Sequence, residues 1–157
     1  MQVPFFRNRN KTMDIRYLDR TLTSSINAIL FSSAIAAFPE HFARHSYAIQ
    51  IEIEYLVAEQ KFDLILNKGS CAFLKRGDQQ IELILPEGAP EHMGWVVSSL
   101  EDFTKLYEIL VVSPWRNEFT LLKDHRINKP ELKAVMFRYK NGAVVQFVWR
   151  QTPLFPA

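Results

Sequence analysis

The chain has few of the residues that build disulfides or phosphate-binding loops. Among its 157 residues there is one cysteine, Cys71, and there are 5 glycines. A single cysteine cannot form an internal disulfide, and Cys71 starts an apolar run, so we expect a buried, inert thiol. With so few glycines, a glycine-rich cradle for nucleotide phosphates is not expected, and the sequence contains neither a Ser-His-Asp spacing nor a paired-cysteine metal motif.

The chain also lacks a large excess of charge of one sign. It has 19 Lys+Arg against 17 Asp+Glu, a formal net charge of +2, and the charges are interspersed. This distribution argues against a basic stripe for nucleic acid and against a polybasic membrane patch. We therefore expect neither nucleic acid nor a membrane as a partner.

A long hydrophobic run is missing as well. The apolar segment 26–36 is far shorter than the roughly 20 residues that a membrane span needs. It resembles the core of a secretion signal, but the region before it is long and contains Asp14 and Asp19. We expect a cytoplasmic protein.

What the chain does contain is an internal repeat. At 157 residues and 48% hydrophobic, it is long enough for one compact unit or two halves that share a core. The segments 73–85 and 137–149, about 64 residues apart, align without a gap. Each has a two-residue turn signal, Gly77-Asp78 and Asn141-Gly142, so each is predicted to be a β-hairpin. The protein is therefore predicted to consist of two copies of one small module.

The repeat also predicts equivalent positions. Counting outward from each turn pairs Phe73 with Glu82 and Phe137 with Gln146. Glu82 and Gln146 then occupy equivalent places, and a site on a pseudo-twofold axis would contact both.

The second half has the order β-α-β-β-β. Apolar patterning predicts a strand over 92–97 and a helix over about 100–110. A strand over 118–123 and a hairpin of 133–139 with 143–150 complete the module.

The first half is expected to repeat this order. Partial alternation predicts a strand over 46–56, residues 62–66 extend it or add another, and 70–85 form the hairpin. The opening strand has two alternatives. In one, residues 26–31 form the strand and Asn27 takes the position that His92 has in the second module.

This first alternative leaves Pro39 inside the next helix, where proline is costly beyond the first turn. In the other alternative, residues 15–22 form the strand, Arg20 takes the position of His92, and a helix over 24–38 ends at Pro39. Local preferences favour the second and the repeat spacing favours the first, so both remain open.

Two β-α-β-β-β modules, with a glutamate in the fourth strand of one and a histidine in the first strand of the next, resemble the vicinal oxygen chelate superfamily. This superfamily includes glyoxalase, extradiol dioxygenases, methylmalonyl-CoA epimerase and bleomycin-resistance proteins. The resemblance rests on segments 73–83, 92–100 and 137–149, where Asn141-Gly142 stands in for the usual Asp-Pro-Asp-Gly-Asn turn. It implies an α+β fold in which two modules with pseudo-twofold symmetry form curved mixed sheets around a central cleft.

We predict one compact domain on this basis. An N-terminal arm covers residues 1–13, the first module covers 14–88 and the second covers 89–157. A homodimer is expected, because superfamily members typically cover their sheet edges with a partner and the arm could add to that contact.

The resemblance also implies a site. In metal-using members, residues from the first and fourth strands of both modules hold a divalent cation. The matching positions here are Glu82, His92, Gln146 and either Asn27 or Arg20. Imidazole and carboxylate suit Zn, Fe, Mn or Ni, and an amide oxygen is a weaker ligand. An arginine could not bind the cation and would neutralise Glu82 instead.

The other polar and aromatic candidates are assigned simpler roles. His41, His45 and His125 are predicted to be ordinary surface or helix residues. The aromatic side chains are predicted to form the core or the wall of a pocket, with Arg20 as a further pocket residue; they are Phe73, Trp95, Phe137 and Trp149.

Three functions are compatible with this sequence. One is a metal-dependent lyase, isomerase or dioxygenase in which Glu82 moves a proton. Another is a metal-free module that binds a small molecule, as bleomycin-resistance proteins do, and the third is a non-catalytic interaction domain. Since the candidate set has Gln146 in place of a carboxylate and no histidine in the first strand, the sequence favours small-molecule binding without full metal chemistry.

Overall fold

The structure is a computed structural model that describes residues 35–36, 38–111, 119–122, 127–139 and 142–155. These residues form two helices and a sheet of nine strands. The elements are β1 (His41–His45), α1 (Ile49–Ala58), β2 (Asp63–Asn67), β3 (Cys71–Arg76), β4 (Gln79–Ile84), β5 (His92–Val96), α2 (Leu100–Val111), β6 (Phe119–Leu121), β7 (Ile127–Lys129), β8 (Leu132–Tyr139) and β9 (Val144–Arg150).

The strand order shows the predicted pseudo-twofold arrangement. The sheet runs β2-β3-β4-β1-β5-β9-β8-β6, and β7 pairs with β8. At its centre, β1 and β5 are antiparallel, and each has the last strand of its own module as a parallel neighbour. The order read outward from the centre is therefore the same in both directions. The predicted α+β fold of two β-α-β-β-β modules is confirmed.

Both helices lie on one face of the sheet and form its apolar core. Side chains alternate between the two faces of a strand, so every second strand residue faces the helices. Helix α1 buries Ile49, Ile53 and Leu56 against its module, and α2 buries Phe103 and Leu106 against the other. Each such side chain contributes about 1.5–3 kcal/mol when fully buried. Within the described residues, neither helix is long and apolar enough to cross a membrane.

The strand predicted over 46–56 is wrong, because Ile49–Ala58 is helix α1. The segment fits both periods: Ile49, Ile51 and Ile53 alternate as in a strand, whereas Ile49, Ile53 and Leu56 have helical spacing. Ile51 is 70% exposed, so the helical set is the one that packs on the sheet. Isoleucine favours strands only weakly, and this packing overrides that preference.

The first strand of the first module is β1, at His41–His45. The candidate strands 15–22 and 26–31, most of the helix over 24–38 and the arm 1–13 lie outside the described residues. The place beside β5 that was predicted for the opening strand is taken by β1. Only Phe42 and Ala43 are apolar in the five residues of β1, so the strand has almost no hydrophobic pattern to find.

The two hairpins differ in register by one residue. In the first, Arg76 pairs with Gln79 around the predicted two-residue turn, and Phe73 faces Glu82 as predicted. In the second, Arg138 pairs with Val144, which leaves five residues between them.

This register overturns one predicted pair. Phe137 faces Val145, and Gln146 faces Met136, so the pair Phe137 and Gln146 is wrong. An odd number of connecting residues moves the pairing by one, and a one-residue shift exchanges the two faces of the strand. Gly142 in this connection has a positive φ of 96°, a conformation that glycine adopts readily.

Candidate metal centre

Three side chains of metal-binding type lie on three adjacent strands at the centre of the sheet. Glu82 of β4 faces Ala43 of β1, which in turn faces His92 of β5. His41 precedes Ala43 by two residues, so its side chain is on the same face. This is the face opposite the helices, and it brings together residues from both modules.

The ligand atoms of these side chains converge. Nε2 of His41 is 3.4 Å from Nε2 of His92 and 3.4 Å from Oε1 of Glu82. Nε2 of His92 is 3.6 Å from the same carboxylate oxygen. Both histidines are almost fully buried, whereas the Glu82 side chain is 13% exposed. The three residues could hold a metal ion.

Both imidazoles have their other nitrogen occupied. Nδ1 of His92 is 2.8 Å from the carbonyl oxygen of Pro90, and Nδ1 of His41 is 2.8 Å from Oε1 of Glu40. Since a carbonyl and a carboxylate only accept hydrogen bonds, each Nδ1–H donates. In the neutral rings each Nε2 then carries a lone pair, and both point at Glu82. Three electron-pair donors this close require a cation or a proton between them, so the residues fit a metal ion.

The acidic groups at the site are ionised. Burial raises the pKa of Glu82, but when the rings are protonated a hydrogen bond from Nε2–H of His92 and the positive charge of His41 lower it by more, so the pKa of Glu82 lies below its ordinary value. Protons and a metal ion therefore compete for the same ligand atoms. Burial and the charge of Glu82 raise the pKa of the Cys71 thiol, which fits the inert thiol expected from the sequence.

Glu40 is also held in its charged form. Burial raises its pKa, but hydrogen bonds from His41 and Arg150 lower the value to about 2. Its carboxylate accepts from Nε of Arg150 at 2.7 Å and from Nη2 at 3.0 Å. Its oxygens are thus occupied, and Glu40 supports the site without being a ligand.

Gly94 makes room for His41. It is the cross-strand neighbour of His41, and a Cβ placed on it would lie 2.2 Å from Cε1 of the imidazole ring. No real Cβ approaches a ring atom that closely, so any other residue would displace His41. The equivalent neighbour of His92 is Ala43, which is completely buried.

Of the predicted metal residues, Glu82 and His92 lie next to each other, with Nε2 of His92 3.6 Å from Oε1 of Glu82. Gln146 is buried in β9 on the same face, paired with the Gly94 that also pairs with His41. Its place relative to β5 matches that of Glu82 relative to β1.

The fourth predicted position is corrected. Asn27 and Arg20 were its candidates, and both lie outside the described residues. The strand position equivalent to His92 is occupied by His41, which was predicted to be a surface or helix residue and is 1% exposed. His125 also lies outside the described residues, and His45 bonds the carbonyl oxygen of Ala89.

A sequence signal for His41 does exist. Both first strands contain histidine, a large apolar residue and a small residue in succession, His41-Phe42-Ala43 and His92-Met93-Gly94. The pattern is only three residues long and the hydrophobic patterning around His41 is weak, so the sequence alone does not mark it as a strand.

The predicted pocket residues separate onto the two faces. Phe73 is on the site face, where its ring meets His41 edge-on at 5.5 Å and Phe155 at 5.9 Å between centroids. Trp95 and Phe137 are in the core on the helix side, and Trp149 packs against that core. These three therefore take the core role, one of the two roles predicted for them. Strand alternation and the shifted register of the second hairpin are the reasons.

Comparisons with known proteins establish the fold. No protein-family model and no curated protein matches the chain. Among solved structures, methylmalonyl-CoA epimerase from Mycobacterium tuberculosis is 13% identical, with a TM-score of 0.53 over 79% of this chain and 95% of that one. A Mn(II)-bound glyoxalase from Novosphingobium aromaticivorans is also 13% identical, with a TM-score of 0.54 over 74% of this chain and 38% of its own.

A third similar structure is a 2,3-dioxygenase from Pseudomonas sp. KL28. It is 14% identical, with a TM-score of 0.56 over 78% of this chain and 44% of its own. The chain thus has the vicinal oxygen chelate fold, and the resemblance seen in the sequence is confirmed at the level of the fold. Since one fold supports many reactions, function has to be argued from the site.

Proposed function

We propose that the protein is a metal-dependent enzyme that acts on a small molecule bound at His41, Glu82 and His92. The observation that carries this proposal is the convergence of two Nε2 lone pairs on one carboxylate. The sequence favoured a metal-free binding module because Gln146 replaces a carboxylate and the predicted first strand had no histidine. His41 supplies it, and the balance moves to the metal-dependent alternative.

The ligand set supports a catalytic rather than a purely structural ion. Catalytic metal sites commonly use three protein ligands and leave a further position open for water or substrate. Two imidazoles and a carboxylate suit Zn, Fe, Mn or Ni, and the similar glyoxalase is a Mn(II)-bound protein. We further propose the amide oxygen of Gln146 as a weaker fourth ligand, since Gln146 is on the same face and in line with His41.

The chain's own residues would divide the work at this site. When bound, a divalent cation would polarise two adjacent oxygen atoms of the substrate. The buried imidazoles fix its position, and the partly exposed Glu82 is the candidate for carrying a proton to or from the substrate. Phe73 and Phe155 provide an apolar wall beside His41, suited to a small and partly hydrophobic molecule.

A second candidate is a dioxygenase reaction. Two histidines and one carboxylate with open positions are typical of non-haem Fe(II) oxygenases, and one similar structure is a 2,3-dioxygenase. A dioxygenase needs a redox-active metal and consumes oxygen, whereas a metal-dependent lyase or isomerase does neither. Oxygen uptake after reconstitution with Fe(II) under anaerobic conditions and addition of oxygen therefore separates a dioxygenase from a lyase or isomerase.

Elemental analysis of the purified protein after mild dialysis tests the proposal. We expect about one divalent ion per chain and its loss in Glu82→Gln, because the carboxylate supplies the charge of the site. Glu52→Gln is the control, since Glu52 pairs with Arg44 away from the site. If neither the purified protein nor protein titrated with Zn, Mn, Ni or Fe(II) binds a cation, the metal-dependent reading is excluded and a metal-free binding module remains.

The predicted homodimer and cytoplasmic location are kept as proposals. In the described sheet, β2 and β6 are the end strands and each has one strand neighbour, which leaves edges for a second copy. Light scattering over a range of dilutions measures the assembly, and a monomer at every concentration contradicts the dimer.

A further inference from the structure

The two histidine ligands are equivalent in the fold but are held by different partners. Nδ1–H of His92 donates to the backbone carbonyl of Pro90, a group that no substitution removes. Nδ1–H of His41 donates to the side chain of Glu40. The orientation of His41 therefore depends on where one carboxylate stands.

That carboxylate is itself fixed by a residue from the other module. Arg150, at the end of β9, donates to both oxygens of Glu40, at 2.7 and 3.0 Å. A two-point bond from the planar guanidinium fixes the plane of a carboxylate as well as its position. Oε1 of Glu40 accepts from Arg150 and from His41, so one oxygen joins the two.

Arg150 and the backbone of Glu40 are restrained in turn. The guanidinium lies 5.9 Å over the ring of Phe73, the same ring that meets His41 edge-on. Nε2 of Gln80 donates to the backbone carbonyl of Glu40. The Arg150 and Glu40 side chains are 15% and 7% exposed, so water has limited access to the pair.

We propose that Glu40 and Arg150 are positioning residues that set the metal affinity of the site without touching the ion. Arg150 orients the Glu40 carboxylate, and the carboxylate holds His41 in the tautomer whose Nε2 faces Glu82. The inference rests on the proposed metal-dependent function. Groups that hold a histidine ligand in this way typically change metal affinity about 10- to 100-fold when removed.

The test uses Arg150→Gln, Glu40→Gln and the double variant in the full chain. Zn(II) dissociation constants are measured by competition with a chelator. We expect each single variant to bind about 10- to 100-fold more weakly. The double variant should lose little more than either single one, because both act through the same imidazole.

Arg44→Gln is the matched control. It breaks another arginine–glutamate pair of strand β1, Arg44 with Glu52 at 2.8 Å, on the helix side of the sheet. We expect it to leave the Zn(II) dissociation constant unchanged. If Arg150→Gln weakens Zn(II) binding no more than Arg44→Gln does, the positioning role is wrong.

A measurement on the metal-free protein separates this inference from the proposed function. Two-bond ¹H–¹⁵N spectra report which nitrogen of the His41 ring carries the proton, and we expect Nδ1–H in the unsubstituted protein and a mixture in Arg150→Gln. An unchanged tautomer overturns the inference even if metal binds. Conversely, an altered tautomer in a protein that binds no cation leaves the positioning of His41 standing and removes the metal-dependent function. Arg150→Lys takes the place of Arg150→Gln if the latter does not fold. It keeps the charge without the two-point bond, so an intermediate loss of Zn(II) affinity is expected.

Discussion

The two modules supply the site in different ways. Each contributes a histidine from its first strand, followed by a large apolar and a small residue. Their fourth strands differ, because the first module places the carboxylate Glu82 where the second places the neutral Gln146. The symmetry of the fold thus fixes the positions that face the centre, whereas the residue at each position decides how much charge it brings. Only the first module brings a negative charge to the ligand set.

The largest effects are expected where the modules are alike. His41→Ala and His92→Ala each remove one Nε2 ligand, and both should weaken Zn(II) binding by more than about 100-fold, beyond the usual effect of residues that only hold a ligand. The two losses should be similar, because the rings occupy equivalent places. His45→Ala is the control on strand β1, since its ring bonds Ala89 and is not among the converging ligands.

A chelator competition titration measures all three variants. Were His92→Ala to abolish binding while His41→Ala left it intact, the site would belong to the second module alone. The two modules would then not contribute equivalent histidine ligands.

An exchange of the carboxylate tests where the modules differ. Glu82→Gln leaves two amides and no charge, and we expect a large loss of Zn(II) affinity. Adding Gln146→Glu to that variant returns the charge at the equivalent place, so part of the affinity should return, by about 10-fold or more on the scale of ligand-shell changes. Isothermal titration calorimetry measures the Zn(II) affinity of both variants. If the double variant binds Zn(II) no more tightly than Glu82→Gln alone, a carboxylate at position 146 does not reach the ion.

The smallest expected effect concerns the small residues beside the histidines. Gly94→Ala puts a methyl group against the His41 ring, so Zn(II) affinity should fall, by about 10-fold if the ring can tilt. Thermal stability should fall as well, because a methyl group forced against a buried ring typically costs about 1–3 kcal/mol. The reverse change, Ala43→Gly beside His92, should leave the Zn(II) affinity nearly unchanged. Equal losses of affinity in Gly94→Ala and Ala43→Gly would contradict a clash between a Cβ at position 94 and the His41 ring.

Much of the second module could be predicted from the sequence, and less of the first. The strand at His92, helix α2 and both hairpins have apolar periodicity or turn residues that show their structure locally. Strand β1 has two apolar residues and helix α1 is rich in isoleucine, so local preference pointed elsewhere. Glu82 was singled out by the repeat and His92 by the resemblance of the modules to the vicinal oxygen chelate superfamily, whereas His41 was missed with its strand.

The pair that holds His41, Glu40 with Arg150, could not be predicted from the sequence for a different reason. Glu40 and Arg150 are 110 positions apart, and neither belongs to a local motif. Their contact exists because the start of the first strand of one module lies near the end of the last strand of the other. Such pairs follow from topology and register, which a single sequence specifies only through the completed fold.

The five-residue connection of the second hairpin has a consequence for how such a duplicated protein can diverge. Phe73 pairs with Glu82, but the residue that pairs with Gln146 is Met136, and Phe137 lies in the core on the other face. One inserted residue in a connection would achieve this exchange for the whole of strand β8 at once. A ligand cleft in a repeated fold can therefore acquire a new lining through a change of loop length, while every residue type in the strand is retained.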